Sequence, residues 1–496
     1  MDFIQNFPCF SIVLSMFSGI VSSALGGKQA KWVNTIVLII ISIMSGALLL
    51  YLMGTGQSYI YKMGIFPAPW GNELRAGILE AGMALIFCII MLLSLTGGRS
   101  HIESEIDPEK VHLYYIMIDL LLSSLLALIY TNDLFTAYVF VEINTISACG
   151  LIMIKQNGRT IEAATRYMIM SLLGSGLLLM GICMLYDMTG HLLMSNIKES
   201  IALLVASGQY TVPLLVTIGL ICVGLAIKSA LYPFHSWLPD AYGYSTVSSA
   251  AILSSLVSKG YIFLLIKIFY RVIGFDIICN SKVINILFLF GLAGMIMGSL
   301  NAIQENDIRR MIAFSSVAQI GYIYMGFGLG TQAGMVASIF HILSHAATKS
   351  LLFIAAIGLT DVSGNSRKFI DLTGAGYRHK VAGFAFTIGS LSMVGIPLFS
   401  GFISKLLFAQ AAIQTANKML PTLIILAVST ILNAIYFMKT VIRIYTPIET
   451  EYPTIHFKAC KVYSITIICF VILNVILGMY SEPIVALIQG GLKMFA

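Results

Sequence analysis

The chain has 496 residues, of which 58% are hydrophobic and 10% charged, with a formal net charge of +7. Soluble domains carry about 25% charged residues, so a water-soluble globule is excluded, and the mean hydropathy of +0.91 points to lipid as the main solvent. The positive charge is too dispersed for nucleic-acid binding, and the eight cysteines form no C-x-x-C, which argues against a cysteine-ligated zinc or iron–sulfur centre.

A membrane span needs roughly 20 mainly apolar residues. In chain order such segments fall near 9–26, 32–53, 79–97, 112–131, 133–154, 163–186, 211–233, 244–271, 283–301, 310–329, 333–359, 381–411, 419–445 and 459–479. The expected fold is therefore all-α and polytopic, with about 14 transmembrane helices. No lysine or arginine precedes the first segment, so it lacks the basic start of a cleaved signal peptide and is expected to be retained. The longest loops, near 54–78 and 98–111, are too short for a soluble domain. "SNIKESIALLVAS", before the seventh segment, reads as a short interfacial helix, and most cysteines read as small apolar fillers. Loops after odd-numbered segments, with Arg99, Lys155, Arg159, Arg310, Arg367 and Arg378 among them, carry about twice the lysine and arginine of the opposite loops. That side is expected to be cytoplasmic, with both termini outside.

Among the charges inside these segments, Glu142, Lys228, Lys259, Lys349 and Lys405 each stand several residues from a segment end. Each costs at least about 2.5–3.5 kcal/mol at mid-membrane on insertion scales. Fixed ion pairs or snorkelling would account for one such lysine; the whole set points to an ion pathway. In "SIFHILSHAATKSLLF", His341, His345 and Lys349 stand at i, i+4 and i+8, on one helix face about 6 Å apart per step. That row suits proton transfer; histidines satisfied by carbonyls are the alternative, and a metal site is disfavoured because no carboxylate or cysteine shares the face. Lys267 and Arg271 are expected to reach the end of the eighth segment. Pro233 follows Lys228 by five residues, and Gly395, Pro397 and Gly401 precede Lys405. Proline and glycine break the helix ladder, and interrupted helices with ionisable groups mark ion sites in transporters. The two lysines, in the seventh and twelfth segments, suggest halves of five helices each, the second inverted. Residues 381–417 contain no carboxylate, so the partner of Lys405 is expected from another helix, another subunit or water.

The stretches "TNDLFTAYVFVEI", "GLAIKSALYPFHSWLPDAY", "NDIRRMIAFSSVAQIGY", "HILSHAATKSLLF" and "GIPLFSGFISK" occur in this order between about 110 and 445. They resemble the antiporter-like subunits of respiratory complex I and its relatives. Among these, the chain is most similar to the D-type subunit of Mrp-type sodium/proton antiporters and the matching subunit of membrane-bound hydrogenases. The resemblance implies two inverted five-helix repeats, broken seventh and twelfth helices, and a hydrated polar axis. It divides the chain into helices 1–3 (1–110), a first repeat (111–271), a second repeat (281–445) and a last helix with its tail (446–496). By motif match Glu142 is the fifth-helix glutamate, and Lys228, Lys259 and Lys405 are the lysines of helices seven, eight and twelve. His345 and Lys349 match the eleventh-helix pattern, with His341 one turn earlier. Asp119 lies outside the motifs, as a local pore contact or a buried carboxylic acid.

The implied function is proton translocation within a multi-subunit cation/proton antiporter or redox-driven ion pump in the cell membrane. Other membrane subunits are the implied partners. Protons are the cargo, with sodium as a second ion in the antiporter reading, and no cofactor is expected in this chain. A self-sufficient antiporter and a structural anchor of a hydrogenase or dehydrogenase complex are the alternatives. Redox chemistry would belong to other subunits.

Overall fold

The computed structural model describes residues 3–66, 71–208, 210–447 and 461–495. Lys458, Cys460 and the expected start of the last segment at 459 lie outside the described residues. Thirteen helices among the described residues are long and apolar enough to cross a membrane, from Phe3–Ser23 to Lys461–Met479. The pair Lys380–Val394 and Ser400–Ile413 supplies the remaining expected span. This is a multi-pass membrane protein. With no water to satisfy the backbone in lipid, each apolar run closes its own hydrogen bonds as a helix.

Several starts are set by side chains that accept orphan amide protons. Asp133, Thr246 and Thr331 cap the fifth, eighth and eleventh spans, and Asn157 and Asp307 cap the sixth and tenth. The eighth (Val247–Ile273), tenth (Ile308–Gly328) and eleventh (Gln332–Asp361) spans are almost wholly enclosed, whereas the first, second and thirteenth face outward along most of their length. The lysine-bearing helices eight and eleven therefore form the centre.

Two spans are interrupted. The seventh runs Thr211–Lys228, loses its ladder over 229–237, and resumes as Leu238–Tyr244. Its expected extent to 233 is shortened: the helix ends at Lys228, and Ala230 takes a positive φ of 61°. The twelfth breaks at 395–399, where Gly395 has φ 90° and Leu398 φ 89°. Gly174 and Gly224 bring spans six and seven into backbone contact, since a Cβ on Gly224 would stand 2.7 Å from the Gly174 carbonyl oxygen. This approach fixes the turn that carries Lys228.

The two ends of the molecule differ in charge. At one end Tyr59 Oη donates to Gln5 O at 3.0 Å, and Arg75 Nη2 donates to Met494 O at 2.8 Å. This joins the N-terminal segment, the 54–78 connection and the C-terminal helix Ser481–Lys493. Within that connection, expected as a loop, lies an antiparallel hairpin of Tyr59–Lys62 with Glu73–Ala76. The other end holds most of the loop lysines and arginines. There Arg310 pairs with Asp240 and Glu305, Arg166 with Glu162 and Asp240, and Arg367 with Asp307. Residues Met194–Ala206 form the expected short helix, with Met194, Ile197 and Ile201 buried. Of the described cysteines Cys88, Cys149 and Cys222 are buried and Cys183 is exposed.

Lys267 and Arg271 reach the last two turns of the eighth span but are buried there. Lys267 Nζ caps the fourth span (Pro108–Tyr130), donating to the carbonyls of Leu128, Ile129 and Thr131. Arg271 Nη2 meets Glu80 Oε1 at 2.5 Å, with side chains only 2% and 1% exposed, and its guanidinium lies 4.0 Å from the Phe495 ring centroid. Removing one partner of such a pair strands the other charge and costs about 3–5 kcal/mol. Glu80→Ala should therefore lower the thermal midpoint of the purified protein, and adding Arg271→Met should restore part of the loss. An unchanged midpoint in Glu80→Ala would contradict the pairing.

Candidate functional site

The interrupted seventh span delivers the Lys228 ammonium to the fifth span (Leu134–Met153). Nζ lies 3.4 Å from Glu142 Oε1 and 2.7 Å from Thr145 Oγ1. Lys228 is fully enclosed, while the Glu142 side chain is 24% exposed. Glu142 also accepts from Ser175 Oγ of the sixth span. The carboxylate thus joins the buried ammonium to the outer face of the bundle.

From Lys228 a chain of neutral groups leads inward. Thr145 Oγ1 lies 3.4 Å from Tyr261 Oη, which donates to Asn144 Oδ1 at 2.9 Å, and Asn144 Nδ2 donates to Ser124 Oγ at 2.9 Å. The Lys228 ammonium also stands 5.5 Å from the Tyr261 ring centroid, within cation–π range. Tyr261 is two residues from Lys259 on the central eighth helix.

Lys259 follows a wide helical turn, Leu253–Val257. Such turns loosen the ladder and recur at functional sites. Its ammonium donates to the Ser254 carbonyl oxygen and, at 3.1 Å, to Ser258 Oγ. Lys349 donates to the Ile312 carbonyl at 2.7 Å and to Ser315 Oγ. Both lysines are completely buried. His345 lies within electrostatic reach of Lys259, Lys349 and His341, and His341 within reach of Lys405 and Lys259. The two imidazoles stack with centroids 5.9 Å apart, as their i, i+4 spacing predicts. His341 Nδ1 meets Ser404 Oγ at 2.6 Å. Its Nε2 and both nitrogens of His345 have no protein partner among the described residues.

Lys405 closes the row. Its ammonium donates to the Val394 carbonyl at 2.5 Å and lies 5.9 Å from the Tyr322 ring centroid. The expectation of a partner from another helix, subunit or water is corrected: the break in Lys405's own span frees that carbonyl. Around the same break Ser392 and Ser400 donate to Asn474 Oδ1 at 2.8 and 2.9 Å, and Asn474 Nδ2 donates to Thr348 Oγ1 at 2.9 Å. These links tie the twelfth span to the eleventh and last.

Asp119 sits apart. It is buried and accepts from Ser18 Oγ at 2.9 Å, Ser22 Oγ at 3.5 Å and Asn34 Nδ2 at 2.7 Å. Its partners belong to the first two spans rather than to the lysine row. Sequence reasoning missed Thr145, Tyr261 and Asn474. The signal for Asn474 was present, as a lone amide inside the apolar run "CFVILNVILGM". Among the described residues no group of three or more His, Cys, Asp or Glu side chains is placed to hold a metal ion.

Known proteins share both the sequence and the fold. The family described as "NADH:quinone oxidoreductase/Mrp antiporter, TM" matches residues 131–432. An NADH-quinone oxidoreductase N subunit of Desulforudis audaxviator is 32% identical over 390 residues, spanning 79% of this chain and 76% of the relative. A Na(+)/H(+) antiporter D subunit of Alkalihalophilus pseudofirmus is 27% identical over 86% of this chain and 84% of its own. Two solved structures share the fold, each with a TM-score of 0.87 over 99% of this chain and 97% of theirs. They are a chain of the membrane-bound sulfane sulfur reductase, an archaeal respiratory membrane complex, at 24% identity, and one of the Mrp complex from Dietzia at 23%. The chain belongs to the NADH:quinone oxidoreductase/Mrp antiporter transmembrane family.

Proposed function

We propose that this chain is the proton-translocating, antiporter-like membrane subunit of a multi-subunit assembly of the Mrp or complex I kind. The observation that carries the reading is the row of four lysines within the bundle, Lys228, Lys259 and Lys349 buried and Lys405 partly buried, in which only Lys228 contacts a carboxylate among the described residues. An ammonium held by neutral oxygens is retained at a cost in a low-dielectric interior. It can shed that cost by passing its proton to a neighbour. Glu142 favours the charged form of Lys228, so a change in their separation would load or release a proton there. Lys259, His345, Lys349 and His341 would carry the charge toward Lys405. The driving reaction, sodium exchange or electron transfer, belongs to partner subunits; relatives and fold neighbours include both kinds of complex.

Residues 111–271 and 281–445 are read as the two inverted repeats. Supporting this, the seventh and twelfth spans both break, each beside a lysine of the row. Residues 1–110 and 446–496 flank them. A rotation about an axis in the membrane plane should superpose the two units; failure to superpose would remove the repeat.

Orientation follows from charge, with the basic end in the cytoplasm and both termini outside the cell membrane. A cysteine introduced into the 361–380 loop of the intact assembly should resist an impermeant thiol reagent in whole cells. Ready labelling would reverse the topology.

Transport by the assembly in vesicles tests the site. Glu142→Ala and Lys228→Ala should each reduce coupled proton transport to background while the complex still assembles. Lys405→Arg keeps the charge but cannot deprotonate at working pH, and should be nearly as inactive as Lys405→Ala. Full transport in either of the first two would sink the pairing, and near-normal transport with arginine would make Lys405 only a fixed charge.

A further inference from the structure

Spans nine (Lys282–Gln304), ten and thirteen (Ala416–Ile444) enclose a feature that the lysine row does not explain. A cavity of about 200 Å³ opens at the basic end, with Glu305, Tyr436, Lys439, Thr440 and Arg443 in its wall. Each water takes roughly 30 Å³ in the liquid, so the cavity has room for several. Tyr436 contributes to this wall although it is only 3% exposed. It therefore stands where the cavity ends and the protein interior begins.

Behind Tyr436 the interior is polar. Tyr436 Oη donates to Asn433 Oδ1 at 2.5 Å, and Ser299 Oγ approaches the same oxygen at 3.4 Å. The hydroxyls of Ser299 and Ser315 neighbour the Tyr436 phenol, and Ser315 Oγ receives the Lys349 ammonium. One phenol and one serine hydroxyl thus separate the cavity from a buried lysine. Polar atoms here also exceed their protein partners. Gln319 Nε2 is buried with no hydrogen-bond partner among the described residues, and Ser429, Thr430 and Asn433 neighbour the Tyr322 phenol. Buried polar atoms cost free energy unless satisfied. Helix packing alone would be served better by apolar side chains at these positions.

We propose that Tyr436 and Ser315 form a proton relay connecting Lys349 to the cavity at the basic end, so that the second half of the chain exchanges protons with that face. The proposal rests on the reading of Lys349 as a proton carrier. In the outward sense, the Ser315 and Tyr436 hydroxyls first turn from the Ile312 carbonyl and Asn433 Oδ1 to which they donate; the Lys349 ammonium then gives a proton to Ser315 Oγ as the serine proton passes to Tyr436 Oη. The phenol proton goes to water in the cavity. Each hydroxyl gains one proton and loses one, Lys349 becomes a neutral amine, and the reverse sequence reloads it. Glu305 in the cavity wall offers the first acceptor. The competing account is static: Tyr436–Asn433 is a fixed hydrogen bond within span thirteen, and the cavity is a packing defect.

The test uses the whole assembly in vesicles. Tyr436→Phe keeps the ring and removes the hydroxyl, and should slow proton transport by about a hundredfold, the low end of what a positioned acid–base group contributes. Thr440→Cys, one helical turn along the cavity wall, should lose transport when a charged methanethiosulfonate is applied from the basic face, relative to the same unlabelled variant. Wild-type rates in Tyr436→Phe overturn the relay. If Tyr436→Phe does not assemble, the labelled Thr440→Cys decides, since undiminished transport there overturns it. Lys349→Ala separates the layers: loss of transport in it together with wild-type rates in Tyr436→Phe removes the relay alone, whereas full transport in Lys349→Ala removes the proton-carrier reading on which the relay rests.

Discussion

An ammonium group cannot sit in a low-dielectric interior without oxygen around it. Much of this structure follows from meeting that requirement without a matching carboxylate for each lysine. Lys405 takes the Val394 carbonyl from a broken helix, Lys259 the Ser254 carbonyl beside a widened turn, and Lys349 the Ile312 carbonyl together with a serine. Of the four, only Lys228 has an ion-pair partner among the described residues, and it too stands where a helix stops. The widened turn before Lys259 lies wholly inside the bundle, where a membrane protein tolerates irregular backbone, whereas the breaks of the seventh and twelfth spans reach its surface at Pro233, Ile396 and Leu398.

Two kinds of buried charge coexist in the eighth span. Near its end Arg271 is locked to Glu80 and stacked on Phe495, and Lys267 closes the end of the fourth span with three carbonyls. These contacts hold helices and the C-terminal segment together. Arginine suits that role because it keeps its charge and its planar donors. Three turns earlier, Lys259 is held by its own helix and faces the histidines of the eleventh span. A compact amine that can exist in either protonation state belongs there. The clamp near the end and the pathway nearer the middle thus lie on a single helix.

The fourteen spans were legible because lipid demands long apolar runs, and the lysine row because charges are rare within them. The breaks were legible from Pro233, Pro397 and their glycines. Other features were not. The acceptors for Lys259, Lys349 and Lys405 include backbone carbonyls, which every residue carries and no sequence distinguishes. The Arg271–Glu80 pair joins positions 191 residues apart, and each looks alone like a residue near a helix end. Thr145 and Asn474 are uncharged, so they cost little to insert and leave a weak mark on hydropathy. The hairpin at 59–76 is too short and too poor in alternation to register as strands.

Proton passage along the row depends on its continuity through the centre. Lys259 has no carboxylate partner among the described residues and does not clamp one helix to another. Removing its ammonium should leave the bundle intact while cutting the path between Glu142–Lys228 and the histidines. The most direct measurement is proton transport in vesicles by the assembled complex carrying Lys259→Gln, with assembly checked on the same preparation. Transport at background in a fully assembled complex is the predicted result. Transport near the wild-type rate would contradict it, and would leave the buried lysines as fixed charges in a scaffold.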